Sequence, residues 1–292
     1  MRKKITSLFL LVVTLIILCS CSQKKESTTE IGRDSYFRIY FLDVGQGDAA
    51  VVECDGQYML IDGGDTFAED TVYDFLVSKG ISKLEILAIS HLHKDHIGGL
   101  PKVLTYATKI SHTICNADFA STKAFTDFEK ELLLNGASIE IPKTSQIPGE
   151  GQTYFLGSAT VEVVYASAEH ENDSLVLLIT YGDTRFLFTG DIEDAAQTWI
   201  SDKYQSDNDE PYKIDLIKMP HHGSYSRTLY RFLRTFMPDY AIISVGQNNY
   251  GHPHQETLDL LDSKTYNPKV YRTDLDGDII VKSDGKSVTI ED

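Results

Sequence analysis

Ten consecutive residues organise this sequence: Ser90-His91-Leu92-His93-Lys94-Asp95-His96-Ile97-Gly98-Gly99. Three histidines and one aspartate fall within six of these positions. The run follows Leu84–Ile89, an apolar segment with the length and composition of a buried strand. Imidazole nitrogens and carboxylate oxygens are ligands that zinc, manganese and iron accept. The spacing therefore predicts a metal site at the end of this strand, in preference to an ordinary polar loop.

A similar order of elements occurs twice along the chain. Tyr58-Met59-Leu60-Ile61-Asp62-Gly63-Gly64 is matched by Arg185-Phe186-Leu187-Phe188-Thr189-Gly190-Asp191, and Leu87-Ala88-Ile89-Ser90-His91 by Ile217-Lys218-Met219-Pro220-His221. Each half runs through strand, turn, helix and strand and ends on a histidine. We therefore predict a single domain built from two similar halves, with the metal site where their strand ends meet. The pattern alone indicates only a mixed α/β class.

Two strand-like runs close the chain, Val270–Asp274 and Gly277–Lys282, and we predict that they pair as a hairpin. The acidic segment Asp274–Asp278 between them lacks the closing glutamate and the flanking helices of an EF-hand. It is therefore predicted to be a β-turn and not a calcium site.

Further motifs narrow the assignment. They are Phe41-Leu42-Asp43-Val44-Gly45-Gln46-Gly47-Asp48-Ala49, Leu60–Gly64, Ser174–Leu177, Phe188–Asp191, Met219–Ser224, and Ser244–Gly246 with Tyr250–Pro253. With the H-x-H-x-D-H cluster they resemble the metallo-β-lactamase superfamily, and within it the hydrolase domain of ComEC-type competence (DNA-uptake) proteins and their free-standing relatives. The resemblance runs from about Arg38 to the C-terminus. It implies an α/β fold, the four-layer αββα sandwich, as one domain over residues 36–292.

The resemblance also implies a centre of two divalent transition metals, with zinc expected and manganese or iron as alternatives. The ligands it implies are His91, His93, His170 and Asp191 for the first metal, and Asp95, His96, Asp191 and His222 for the second. Asp191 would then bridge the two metals. His170 lies four positions before Ser174, which opens a strand-like run. Two alternatives stay open: that His170 is an exposed loop histidine, or that Asn172 takes this position.

Catalytic roles follow from the same resemblance. Asp95 is expected to accept a proton from the attacking water as well as to bind metal. His221 is expected to face the substrate, because adjacent side chains in an extended segment point in opposite directions. Asp62 is expected to orient a ligand histidine, with an Asx-turn as the alternative. Gln46 and Asp48 lie on a turn that the family directs towards the metals.

A polar loop after a strand supplies the predicted substrate-binding residues, which are Asn248, Tyr250 and His252. The alternative is a loop that only caps the helix starting at Gln255.

The net charge and the family resemblance together limit the classes of function that we expect. The formal net charge is −16, which argues against extensive non-specific binding to nucleic acid, because such binding depends on Lys and Arg. We expect a hydrolase that acts on a small or polymeric phosphodiester, such as DNA or a cell-envelope component. Hydrolysis of a carboxylic ester, a thioester or a lactam is the alternative within enzymes. A lipoprotein that keeps the fold only for binding is the alternative of another class. No protein partner is inferred.

The N-terminus has the features of a lipoprotein signal peptide over residues 1–20. Basic residues precede the apolar run Leu8–Leu18, which is too short for a comfortable membrane span and ends at Leu18-Cys19-Ser20-Cys21. Cys21 is predicted to carry the lipid, and residues 21–35 to form a flexible tether. The alternatives are a plain signal peptide or a signal anchor. We therefore expect an extracytoplasmic protein held on the membrane by its lipid. Cys54 and Cys115 are predicted to be buried free thiols.

Overall fold

The computed structural model describes residues 36–170, 172–206, 208 and 210–291. The predicted signal peptide, the tether and Cys21 lie outside these residues. The strands are β1 (Phe37–Phe41), β2 (Ala50–Cys54), β3 (Gln57–Ile61), β4 (Lys83–Ile89), β5 (Lys109–Cys115), β6 (Ile139–Glu140), β7 (Thr153–Leu156), β8 (Ala159–Tyr165), β9 (Val176–Tyr181), β10 (Thr184–Phe188), β11 (Leu216–Lys218), β12 (Tyr240–Ile243), β13 (Lys269–Arg272), β14 (Ile279–Ser283) and β15 (Val288–Ile290). The α-helices are α1 (Glu69–Lys79), α2 (Lys94–Ile97), α3 (Leu100–Tyr106), α4 (Lys123–Leu134), α5 (Asp194–Tyr204), α6 (Leu229–Phe236), α7 (Gln255–Leu261) and α8 (Thr273–Asp276), and Thr66–Ala68 and Pro220–Gly223 are short 3₁₀ turns.

Local signals set the limits of the longer helices. Helix α1 ends at Gly80, whose φ of 67° lets its N–H bond back to the last turn. Helix α4 begins after Thr122, whose hydroxyl accepts a hydrogen bond from the N–H of Phe125. Within the described ranges, no helix combines the length and the apolar character that crossing a bilayer requires.

Two sheets form the centre of the molecule. The first has the strand order β15-β14-β1-β2-β3-β4-β5-β6, and the second the order β13-β12-β11-β10-β9-β8-β7. Strands β3, β4 and β5 run parallel, as do β10, β11 and β12. The carboxyl ends of these parallel strands, and the loops that follow them, therefore gather at one edge of each sheet.

Three apolar layers hold the sandwich together. Between the sheets, Phe37 stacks on Tyr181 and Phe186 with ring centroids 5.1 and 4.8 Å apart. A second layer packs α1, α3 and α4 on the outer face of the first sheet, and a third packs α5, α6 and α7 on the second sheet. The predicted four-layer αββα fold is therefore confirmed.

The predicted C-terminal hairpin is wrong. Strand β13 pairs with β12 in the second sheet, whereas β14 pairs with β1 in the first. The intervening α8, predicted as a β-turn, carries the chain from one sheet to the other, and β14 forms its hairpin with β15 instead. The prediction of buried thiols is confirmed, because Cys54 and Cys115 are both buried and unpaired. Burial raises the pKa of the Cys115 thiol to about 12.

Candidate metal centre

The first histidine cluster folds as a turn into a short helix at the end of β4. His93 is still extended, with φ −74° and ψ 153°, and α2 starts at the next residue. This change of direction brings the ring of His91 to 4.4 Å from that of His93 and 4.2 Å from that of His96, measured between centroids. His91 and His96 are buried, and Asp95 is partly exposed. One segment of ten residues thus supplies three neighbouring imidazoles and one accessible carboxylate.

Asp191, from the second half of the chain, lies at the middle of the site. It follows β10 and is 2 % exposed. Its Oδ2 atom is close to the Nε2 atoms of four histidines, at 3.9 Å from His91, 3.3 Å from His96, 3.8 Å from His221 and 3.4 Å from His222. Residues more than a hundred positions apart in sequence therefore meet at one carboxylate oxygen.

Four of the predicted ligands have the spacing of a metal site. Each of Asp95, His96, Asp191 and His222 offers a ligand atom, and these atoms all lie within 4.8 Å of one another. The buried Nε2 atoms of His91, His96 and His222, and Oδ1 of Asp191, have no hydrogen-bond partner. Unpaired buried polar atoms are costly, and coordination to a metal removes that cost. The residues present therefore fit the metal that the sequence predicts.

The charges around the site favour a cation. Burial by itself lowers the pKa of His96, but Asp191 and Asp62 outweigh it and raise this pKa well above its ordinary value. The pKa of His222 is raised in the same way by Asp191 and Asp48. The carboxylates thus draw positive charge to the Nε2 atoms. A divalent metal supplies that charge while leaving these nitrogens deprotonated.

Neighbouring groups hold two of the proposed ligand histidines by contacting their Nδ1 atoms, on the side of the ring away from Nε2. Asp62 lies 2.9 Å from Nδ1 of His96, and its other oxygen accepts the N–H of Ser90 at 2.7 Å. Nδ1 of His222 lies 2.9 Å from the carbonyl of Ser244. Such contacts fix the tautomer and aim Nε2 at the metal. Asp62 therefore stands where the sequence analysis expected an orienting carboxylate.

His221 and His222 differ from the extended segment that the sequence analysis assumed. Their φ,ψ values are 48°,51° and 53°,28°, so both residues are left-handed. Two consecutive non-glycine residues in this region store strain, which the surrounding structure must compensate. The turn brings both rings to the same side, at Asp191, and not to opposite sides. Nδ1 of His221 is fixed by Glu193 at 3.0 Å, and the ring remains 23 % exposed.

His170 lies at the edge of the site. It is exposed, and its backbone N–H donates to Asp173. Together with His91 and His93 it lines a surface cavity of about 480 Å³. His170 is not among the described residues that form the metal-spaced group, and its role as a ligand stays a prediction. Asn172 lines a neighbouring cavity beside Glu193.

The predicted substrate loop reaches the site through His252. The ring of His252 lies 5.1 Å from that of His221 and stacks on that of Tyr250 at 5.7 Å. Burial and His221 lower the pKa of His252 to about 4, and its Nδ1 is buried without a partner. Asn248 is used differently, because its amide bonds to Gly246 and His252 within the loop. His252 thus lies beside His221, Tyr250 packs on His252, and Asn248 braces the loop that carries them.

Lys218 contributes to the site although the sequence analysis read it only as part of a strand. It is 3 % exposed, and its Nζ forms an ion pair with Asp48. Asp48 in turn contacts Nδ1 of His222 at 3.3 Å, so the turn noted in the sequence does reach the site. A lysine inside the apolar run Leu216–Met219 was the available signal, because buried lysines are rare unless they are paired.

Known proteins are similar to this chain in sequence and in fold. The family described as "Metallo-beta-lactamase superfamily" matches residues 42–247. ComE operon protein 3 of Bacillus subtilis is 30 % identical over 259 residues, which cover 82 % of this chain and 32 % of that protein. Recombination protein 2 of Haemophilus influenzae is 28 % identical over 248 residues, covering 82 % of this chain and 28 % of that protein. This chain therefore spans a third or less of the length of these relatives.

A solved structure supports the fold. The metallo-β-lactamase fold protein YhfI of Bacillus subtilis superposes with a TM-score of 0.56 over 85 % of this chain and all of its own. The two sequences are 11 % identical, so the likeness concerns the fold alone.

Proposed function

Since this chain belongs to the metallo-β-lactamase superfamily, whose fold serves metal-dependent hydrolysis, we propose that it is a dinuclear hydrolase of phosphodiester bonds. One observation carries the proposal: a single buried oxygen, Oδ2 of Asp191, stands among the Nε2 atoms of four histidines. A carboxylate in that position can bridge two metals through its two oxygens. Zinc is the metal we expect, with manganese or iron as alternatives.

The proposed ligands divide between the two halves of the chain. We assign His91, His93, His170 and Asp191 to the first metal, and Asp95, His96, Asp191 and His222 to the second. When bound, the metals supply a water activated near neutral pH and polarise the bond to be cleaved. Zinc geometry asks for about four ligands at each metal, which this set provides.

The chain's own residues would handle protons and orient the substrate. Asp95 is the accessible carboxylate of the cluster, and Nε2 of His222 lies 3.4 Å from its Oδ2. Burial raises the pKa of Asp95, but His222 and His96 outweigh it and lower this pKa, so the carboxylate is ionised at neutral pH as a metal ligand must be. Its proposed second role is to accept a proton from the attacking water. The Glu193 carboxylate accepts from Nδ1–H of His221, so Nε2 faces the same space and can donate to a substrate oxygen when the ring is protonated on both nitrogens. Its Nε2 lies 3.8 Å from Oδ2 of Asp191, the oxygen at the middle of the site, and this proximity supports the proposed role.

His252 and Tyr250 are the proposed substrate contacts. The ring of His252 lies beside that of His221 and can contact a substrate group there, and the exposed ring of Tyr250 can pack on an attached group. Asn248 would act through the loop that it braces.

One relative, recombination protein 2 of Haemophilus influenzae, is named for recombination, which supports a phosphodiester as the substrate. The same metal pair could hydrolyse a carboxylic ester, a thioester or a lactam, and these bonds form the comparison in the test. The acidic charge favours a substrate recognised at the reacting bond over one bound along an extended backbone. We also propose that residues 1–20 are a signal peptide and that lipid on Cys21 anchors the protein outside the cytoplasm.

The test combines metal analysis with a choice of substrates. Metal-replete protein is assayed on bis-p-nitrophenyl phosphate, a thioester and a chromogenic β-lactam. We expect about two metals per chain and turnover of the phosphodiester. Less than about one metal per chain would overturn the dinuclear centre. Turnover of only the thioester or the lactam would replace the phosphodiester with the alternative substrate class. A fully loaded protein inactive on all three would favour a binding role.

A further inference from the structure

Lys218 is a buried cation in the middle of the second sheet. It ends β11, which runs between β10 and β12, and it is 3 % exposed. Leu216 and Ile217 before it are completely buried. An ammonium group in such surroundings is costly unless it is paired and hydrogen-bonded. Its partners therefore show what keeps it there.

The partners of Lys218 belong to the loops that carry the metal centre. Its Nζ forms an ion pair with Oδ2 of Asp48, donates to the carbonyl of Gly190 at 3.1 Å, and lies 3.8 Å from Oδ1 of Asp191. Asp48 lies in the turn between β1 and β2, in the first half of the fold. Gly190 lies in the turn after β10, in the second half. The ammonium group thus links the two halves beside the proposed bridging carboxylate.

The link continues to the proposed ligands of the second metal. Oδ1 of Asp48 lies 3.3 Å from Nδ1 of His222, and its Oδ2 lies 3.8 Å from Nδ1 of His96. Asp48 therefore lies behind both rings, whose Nδ1 atoms hydrogen-bond to the carbonyl of Ser244 and the carboxylate of Asp62, respectively. Holding the carbonyl of Gly190 fixes the residue just before Asp191. Its ion pair with Asp48 and its hydrogen bond to Gly190 reach residues that we do not assign as ligands, and its Nζ lies 3.8 Å from Oδ1 of Asp191, beyond hydrogen-bond distance.

The buried charges of the centre also indicate a structural role for Lys218. Asp48, Asp62 and Asp191 are three buried carboxylates of the centre. Among the described residues, Lys218 is the only lysine or arginine that forms an ion pair with any of them. A permanent cation here offsets part of their repulsion whether or not metal is bound.

We propose that Lys218 is a positioning residue for metal binding: by joining Asp48 to the Gly190–Asp191 turn, it holds the ligands from both halves at the separation that the metals require. This inference rests on the proposed metal-dependent function. It goes beyond that function by giving a role to a residue that binds neither metal nor substrate.

The test measures zinc affinity by competition with a chromophoric chelator. Lys218→Met is compared with the matched control Lys203→Met. Lys203 is also a buried lysine of the second half, and it contacts the carbonyl of Val164 and Glu162 away from the centre. We expect Lys218→Met to bind zinc about tenfold or more weakly, the range typical of residues that orient metal ligands. Lys203→Met should keep wild-type affinity even where it lowers stability. Lys218→Arg, which keeps the charge, should recover part of the loss.

The outcomes separate this inference from the proposed function. If Lys218→Met folds and binds zinc as tightly as wild type, Lys218 is not a positioning residue. The same conclusion follows if Lys203→Met weakens zinc binding equally, because the effect is then one of general stability. Should Lys218→Met fail to fold, Asp48→Asn/Lys218→Met removes both buried charges and is judged by the same comparison. A wild-type protein that binds zinc but cleaves no phosphodiester overturns the proposed substrate and leaves the affinity comparison decisive.

Discussion

Replacing Asp191 with asparagine tests the proposed bridge most directly. The substitution keeps the shape of the side chain and removes its charge. Oδ2 of Asp191 lies 3.3 Å from Nε2 of His96 and 3.4 Å from Nε2 of His222, in a site that is almost fully buried. An uncharged amide binds cations more weakly than a carboxylate does. The two proposed metals would therefore lose the negatively charged ligand that they share.

The size of the effect follows from the burial. Breaking a buried charge pair costs about 3–5 kcal/mol. If about 4 kcal/mol of this is lost from the transition state, the rate falls roughly a thousandfold, since each ~1.4 kcal/mol is a factor of ten. We therefore expect Asp191→Asn to lose about three orders of magnitude in kcat on a generic phosphodiester.

The assay compares the variant with wild type at equal metal occupancy, measured in the same samples. Asp262→Asn serves as the control, because it makes the same chemical change at a carboxylate that is exposed at the C-terminal end of α7. Circular dichroism of both variants checks that the fold is kept. Wild-type turnover in a fully loaded Asp191→Asn protein would refute the proposed mechanism.

Three further predictions concern the substrate loop, the metal-free protein and the N-terminus. His252→Ala should raise KM more than it lowers kcat, because the His252 ring packs beside His221, the proposed substrate contact, and is not itself a proposed metal ligand. An unchanged KM would contradict this prediction. In chelator-treated protein, the free energy of unfolding should fall as pH rises above about 6.5. The fold raises the pKa values of His96 and His222, so their protonated rings stabilise it, and this stabilisation is lost as pH rises through the raised pKa values. Urea unfolding at several pH values checks this trend, which zinc should reverse because bound nitrogens must be deprotonated. Cys21→Ala should release the protein from membranes on fractionation, whereas full retention with an uncleaved N-terminus would indicate a signal anchor.

Much of the architecture was predictable from sequence because it depends on local order. A run such as Leu84–Ile89 must be buried as a strand, and the polar residues after it must then emerge at the strand's carboxyl end. The repeated order of elements indicated that strand ends of the second half would meet the first histidine cluster, and the family resemblance then identified Asp191 and the His221-His222 pair. The same resemblance predicted the orienting role of Asp62, whose strand β3 pairs with β4, the strand before that cluster.

The tertiary structure decided what local order leaves open. His221 and His222 follow a strand, but packing of the turn forces both into left-handed conformations and directs both rings to Asp191. Strands β13 and β14 are neighbours in sequence, yet they complete different sheets, because each edge offers a partner with free backbone groups.

The pairing of Lys218 with Asp48 is the clearest case. These residues are far apart in the chain, and the sequence around each one does not predict that it will contact the other. Their contact exists because the two sheets pack face to face and bury both charges in one place. Once water is excluded there, each charge requires the other, and that requirement arises only in the folded protein.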